Sequence, residues 1–147
     1  MAEISSYVAE QNMAIVRYYL EELWNKQNYA IVDEVFAENV TSYLLATPSY
    51  GRDEIKQNVQ NTLSAFPDAL LTVNHLSAEG DKVIIHWTLE GTHQGEYHDI
   101  SPTGNPVTIK GVTAVYLTNG MVTEIWPQVE NLSEFLQQLG GLPDIGA

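Results

Sequence analysis

The hydrophobic period of this chain changes once, near Pro67, and that change limits what the chain can fold into. Before Pro67, apolar residues recur at the 3.6-residue spacing of helices. After it they alternate with a period of two, as in strands with one buried face. Helices first and an antiparallel meander afterwards argue for an α+β domain, and against parallel strands joined by helices.

From Val8 to Gln27 apolar residues fall at 8, 13, 16, 19, 20, 23 and 24, and these make the stripe of a helix packed along one face. Asn28 suits the N-cap of a shorter helix through Tyr29, Val32, Val35 and Phe36. A third helix opens after Gly51, with Ile55, Val59, Leu63 and Phe66 on one face. Asp53 and Glu54 stand in its first turn, where the helix dipole favours acids. Pro67 ends it, because proline donates no backbone bond and its predecessor avoids the helical region.

Beyond Pro67, LLTVNHLSAEGDKVIIHWTLEGTH reads as two strands joined at Glu79-Gly80-Asp81. A long hairpin loop around SPTGNP leads to VTIKGVTAVYL. The turn Thr118-Asn119-Gly120 then leads to MVTEIWPQVE. LSEFLQQLGG is a closing helix with Leu132, Phe135, Leu136 and Leu139 on one side, and Gly140 and Gly141 can supply a left-handed stop.

Bulk properties remove several functions. A chain of 147 residues predicts one domain over 1–147, burying roughly two-thirds of its unfolded surface. Six Lys plus Arg against nineteen Asp plus Glu give a net charge of −13. That surface repels phosphate backbones and anionic lipid, which argues against nucleic-acid and membrane partners. There is no cysteine, hence no thiolate chemistry. The start, MAEISSYVAEQN, has no basic region followed by an apolar core, and no apolar run approaches the ~20 residues of a membrane span. The expected location is the cytoplasm. Ile84, Val112 and Ala114 fall on an otherwise solvent-facing side of the meander, so a homodimer is expected.

The chemistry concentrates in GTHQGEYHDISPTG, where His93, Glu96, His98 and Asp99 crowd seven positions. Strand parity tests whether they converge. Val83, Ile85, Trp87 and Leu89 form the apolar face of their strand, and His93 continues that parity while His86 and Glu90 oppose it. Glu96 and His98 have the opposite parity to His93, and two glycines interrupt the stretch. One strand therefore does not aim them at one ion, and no metal is expected. His98 and Asp99 read as a solvated turn. An inward His93 either has a structural partner or lines a cavity.

GTHQGEYHDISPTGNPVTIKGV, followed by YLTNGMVTEIW and LQQLG, resembles the SnoaL-like polyketide cyclase family. LWNKQNYAIVDEVFAENV and AFPDALLTVNHLSAEGDKVIIHWTLEG resemble its upstream helix pair and Phe-Pro-Asp segment. The likeness runs from about Val8 to Leu139. It implies a cone-shaped, nuclear transport factor 2-like α+β barrel, whose strongly bent antiparallel sheet wraps the N-terminal helices and leaves a deep pocket. It also implies dimers through the outer sheet face and aldol ring closure on a hydrophobic, carbonyl-bearing molecule, without cofactor or metal.

Carried over residue by residue, His93 matches the family histidine. Glu130 stands where members usually have aspartate, four residues after the matching Trp126; the resemblance implies that the bent sheet brings it into the pocket as general acid/base, with His93 as a nearby polar anchor. Tyr43 stands where a histidine is usual, and is the alternative acid to Glu130. Trp126, Gln128, Trp87, Tyr116 and Phe66 are the expected substrate contacts, with Tyr50 and Tyr97 as further cavity hydroxyls. Plain alternatives stand beside these: the tryptophans as core, the tyrosines as edge or interface residues, Glu130 as a charge beside the last helix. Two function classes remain. One is a carboxylate acid/base enzyme for cyclisation or isomerisation; the other is a cup that only binds an apolar ligand.

Overall fold

The computed structural model describes residues 2–43 and 47–140. Helix α1 (Ala2–Leu20) runs directly into a π-helical turn, Glu21–Asn25, in which Lys26 N–H donates to the Glu21 carbonyl at 3.1 Å. The apolar stripe holds from its middle onward: Val16, Tyr19, Leu20 and Leu23 are buried, whereas Val8 stays 41% exposed.

Helix α2 is only Ile31–Val35. Asn28 does not cap it; its side chain donates to Glu22, and Ala30 precedes the helix without a side-chain cap. Phe36, expected to extend that helix, instead starts strand β1 (Phe36–Ser42), which pairs with the short β2 (Ser49–Tyr50). Helix α3 (Arg52–Ala65) opens after Gly51, whose φ of 87° suits glycine, and stops before Pro67 as expected.

The meander follows as β3 (Leu70–Glu79), β4 (Lys82–Thr92), β5 (Pro106–Thr118) and β6 (Met121–Val129). Asn119 and Gly120 both take positive φ at the β5–β6 turn, the geometry that Asn-Gly favours in two-residue hairpins. Helix α4 (Leu132–Gln138) closes the described chain, and Gly140 takes φ 98° beyond it. Gly141 lies outside the described residues.

The strands form one curved, open six-stranded sheet in the order β2-β1-β6-β5-β4-β3. Every neighbouring pair is antiparallel except β1 and β6, which run parallel. The meander expectation therefore needs this correction: two strands lie among the helices, and the return of β6 beside β1 creates one parallel pair inside the sheet. β4 and β5 pair without a register break from Lys82–Tyr116 to Thr92–Pro106. Bulges interrupt β3 between Val73 and His75, and β5–β6 between Tyr116 and Leu117; such insertions bend a strand and raise its twist.

The inner sheet face packs on the helices. Val83, Ile85, Val115 and Val122 meet Val16, Tyr19, Leu23, Ile55 and Val59 in one core. Phe66, Leu89, Ile109, Phe135 and Leu139 form a second core where α4 covers the sheet end. Asn131 and Gln138 fasten α4 to β5: the Asn131 side chain accepts from Lys110 N–H and donates to the Thr108 carbonyl, and Gln138 accepts from Thr108 N–H. Among the described residues, no helix is long and apolar enough to cross a membrane.

Candidate functional site

Between the inner sheet face and helices α1 and α3 lies a cavity of about 180 Å³. Alternation puts every second strand residue into it: Ile85, Trp87 and Leu89 from β4, Ile109 and Thr113 from β5, Ile125, Pro127 and Val129 from β6. Leu23 and Trp24 come from the π-helical turn, Val59 and Thr62 from α3, Phe135 from α4.

The polar groups on this wall are Tyr19, Ser42, Asn58, Thr62, Tyr97 and Thr113, with the indoles of Trp24 and Trp87. Among the described lining residues there is no Asp, Glu, Lys, Arg or His. The cavity therefore offers neutral hydrogen-bond donors and acceptors in apolar surroundings. Burial raises the phenol pKa of both Tyr19 and Tyr97, so each stays protonated near neutral pH and acts as a donor rather than a base. Tyr19 packs edge-on against Phe36 at 5.0 Å, and Tyr97 packs against Phe66 and Phe135 at 5.3 and 5.7 Å. Neither phenol oxygen has a hydrogen-bond partner among the described residues. Asn58 is held by a bond to Ser49, and Trp87 Nε1 donates to Thr113 Oγ1 at 2.8 Å.

The residues expected from sequence divide between the two sheet faces. Glu130, Trp126 and Gln128 do share one face, but it is the outer one. All three are exposed, and β6 turns Ile125, Pro127 and Val129 inward instead. Bending a sheet does not exchange its faces, so the expectation that Glu130 enters the pocket is corrected. Glu130 borders an open outer groove with Asn74, His75, His86 and Lys110, and directly precedes Asn131 at the start of α4.

Tyr43 also lies outside the cavity, its ring stacked on Trp126 at 3.8 Å and 11°. Tyr116 has outward parity and Tyr50 is 63% exposed. Phe66 is fully buried behind Tyr97 and is not part of the wall. Of the expected contacts, Trp87 and Tyr97 line the cavity.

His93 is fully buried, as its parity required, yet it too stands outside the cavity. Thr103 N–H donates to its Nδ1 at 3.2 Å and Thr103 Oγ1 lies 3.0 Å away. Of the two readings, the structural partner is the one observed: His93 anchors the loop between β4 and β5. Its Nε2 is buried with no partner among the described residues.

His98 and Asp99 form the solvated turn expected of them, both with positive φ between the bridged Tyr97 and Ile100. Among the described residues, no three His, Asp or Glu side chains converge as metal ligands. Sequence reasoning missed Tyr19, Ser42, Asn58, Thr62 and Thr113. Inward parity was a signal for Thr113, but the others need the packing of α1, β1 and α3 against the sheet.

Comparison with known proteins agrees with this architecture. The structure is similar to that of a proposed SnoaL-like polyketide cyclase from Jannaschia sp. CCS1, with a TM-score of 0.82 at 21% identity over 88% of this chain and 92% of that one. AclR from Streptomyces galilaeus, a proposed hydroxylase, superposes with a TM-score of 0.80 at 28% identity over 92% and 85%. IdmH from Streptomyces antibioticus, a proposed polyketide cyclase, gives 0.74 at 25% identity over 88% and 99%. None of the curated proteins matches in sequence. The fold is thus of the nuclear transport factor 2 and ketosteroid isomerase-like type. The SnoaL-like polyketide cyclase profile matches residues 14–139, and the chain belongs to that family.

Proposed function

We propose that this chain takes a hydrophobic, carbonyl-bearing small molecule into the inner cavity and promotes its ring closure or isomerisation there. The observation that carries this reading is a largely apolar cavity wall set with neutral hydroxyl donors, in a member of a cyclase family. Size narrows the ligand. A cavity of about 150 Å³ holds one benzene ring, so a space of about 180 Å³ suits one or two rings.

The absence of a carboxylate from the described wall shifts the chemistry. A positioned general base typically contributes ~10²–10⁴-fold, and this wall supplies none. What it can supply is proximity, by holding two ends of a flexible molecule together, and polarisation of an accepting carbonyl by the Tyr97 and Tyr19 hydroxyls, with solvent water taking the α-proton and returning one to the alkoxide. The same absence favours a second reading, a cup that binds such a ligand without turning it over. We further propose that the outer sheet face, with Trp126 45% exposed beside Tyr43, pairs with a second copy.

The test joins binding to turnover. An aryl 1,5-diketone is titrated against the fluorescence of Trp24 and Trp87, and its aldol closure is followed by absorbance. Saturable quenching with accelerated closure, slowed about 10-fold or more in Tyr97→Phe while binding persists, supports the enzyme. Quenching without closure supports the cup. No saturable quenching with this or other one- and two-ring ketones removes both readings.

A further inference from the structure

Trp87 on β4 and Thr113 on β5 meet inside the cavity by an arrangement that needs a gap. Trp87 stands opposite Gly111, and Thr113 stands opposite Ile85, so the indole must cross over residue 111 to reach the threonine. A Cβ at Gly111 would lie 2.4 Å from Trp87 Cζ2, so only glycine leaves that path open. Trp87 Nε1 then donates to Thr113 Oγ1 at 2.8 Å.

This bond determines what the hydroxyl does next. A threonine hydroxyl has two acceptor sites and one proton; the indole occupies an acceptor site and leaves the proton to be placed. Thr113 is 7% exposed, lines the cavity, and donates to no acceptor among the described residues. Its cross-strand partners on this face, Ile85 and Pro127, present apolar side chains. A hydroxyl that already accepts a bond is the stronger donor for it. The hydroxyls of Tyr19 and Tyr97 have no such partner to orient them, whereas that of Thr113 is oriented by the indole.

We propose that Thr113, oriented by the Trp87 indole, is a carbonyl-recognition donor of the cavity, alongside the Tyr19 and Tyr97 phenols. It makes the site prefer ketones, quinones or esters over hydrocarbons of the same shape. This rests on the inner cavity being the ligand site, and the test separates the two claims.

1-Tetralone and tetralin, the same bicyclic frame with and without a carbonyl, are titrated against the protein by backbone-amide chemical shifts. In the unaltered protein both shift residues along the cavity, and tetralone binds more tightly. Thr113→Val keeps the shape and removes the hydroxyl. It weakens tetralone about two- to tenfold and leaves tetralin unchanged, while Thr113→Ser keeps the preference. Should Thr113→Val fail to fold, Thr113→Ala carries the same comparison, since it opens space rather than filling it. An unchanged tetralone-to-tetralin ratio in a folded variant, even one with a lower melting temperature, overturns the assignment but leaves the cavity as ligand site. If neither molecule shifts the cavity residues, the ligand-site reading falls and takes this one with it.

Discussion

At the scale of single residues, burial and one hydrogen-bonded partner account for how His93 is held in the most prominent motif. His93 draws attention because it is inward and stands in the segment that resembles the family. Its observed work is to hold Thr103 and so to shape the loop before β5. His93→Ala leaves the Thr103 N–H without that acceptor and opens a void beside Phe66. Chemical denaturation should show a loss of about 2–4 kcal/mol, with little change in the affinity of a cavity ligand measured in the same variant. Asp68 is a second residue with a structural task. It accepts from Thr92 Oγ1 at 2.8 Å and from Thr92 N–H at 2.7 Å, and these bonds hold its carboxyl below the usual carboxylate range. A lowered folded pKa means that the stabilisation is present above the unfolded value and is lost as pH falls through the folded one. Asp68→Asn should therefore lower the melting temperature at pH 7. Melting curves recorded well below the usual carboxylate range should show the difference shrinking, and an unchanged gap at acid pH would contradict the account.

At the scale of elements, strands with a private face were readable and strands that depend on a distant partner were not. The alternation of Val83, Ile85, Trp87 and Leu89 already contains the inner face of β4, and the Asn-Gly turn its β5–β6 hairpin counterpart. Phe36–Ser42 lacks such a pattern; it carries Glu38 and Asn39, and becomes a strand because β6 returns beside it about eighty residues later. The Trp87–Gly111 crossing is likewise a property of two paired strands. Gly111→Ala places a methyl against the indole and within 2.7 Å of the Gln128 carbonyl oxygen. Thermal or urea unfolding should register a loss of about 1–3 kcal/mol, and the indole N–H resonance of Trp87 should move as its bond to Thr113 is disturbed.

At the scale of the molecule, the two sheet faces have different tasks. The inner face, with helices α1 and α3, lines the cavity; the outer face carries Ile84, Val112, Ala114 and a 45% exposed Trp126. Light scattering at micromolar concentration should give about twice the 16.4 kDa of one chain if a second copy covers that outer face. A Trp126→Glu variant should then shift the mass toward one chain, because a buried unpaired charge opposes association. A mass of one chain for the unaltered protein would remove the proposed pairing.

Local information was enough for α3 and its stop at Pro67, for the hairpin turns, for the inward parity of His93, and for the family. Each depends on spacing within a few residues, or on motifs whose order along the chain is itself the signal. Parity also grouped Trp126, Gln128 and Glu130 on one face. Which face of β6 meets the helices was not a local quantity: two faces of a strand are equivalent until the rest of the molecule packs on one of them. Only the tertiary structure decided that Ile125, Pro127 and Val129 look inward, leaving Glu130 outside, and that residues as distant as Tyr19, Ser42 and Thr113 share one wall. The reason is physical. A cavity is defined by elements that approach through packing, and no spacing along the chain encodes that distance.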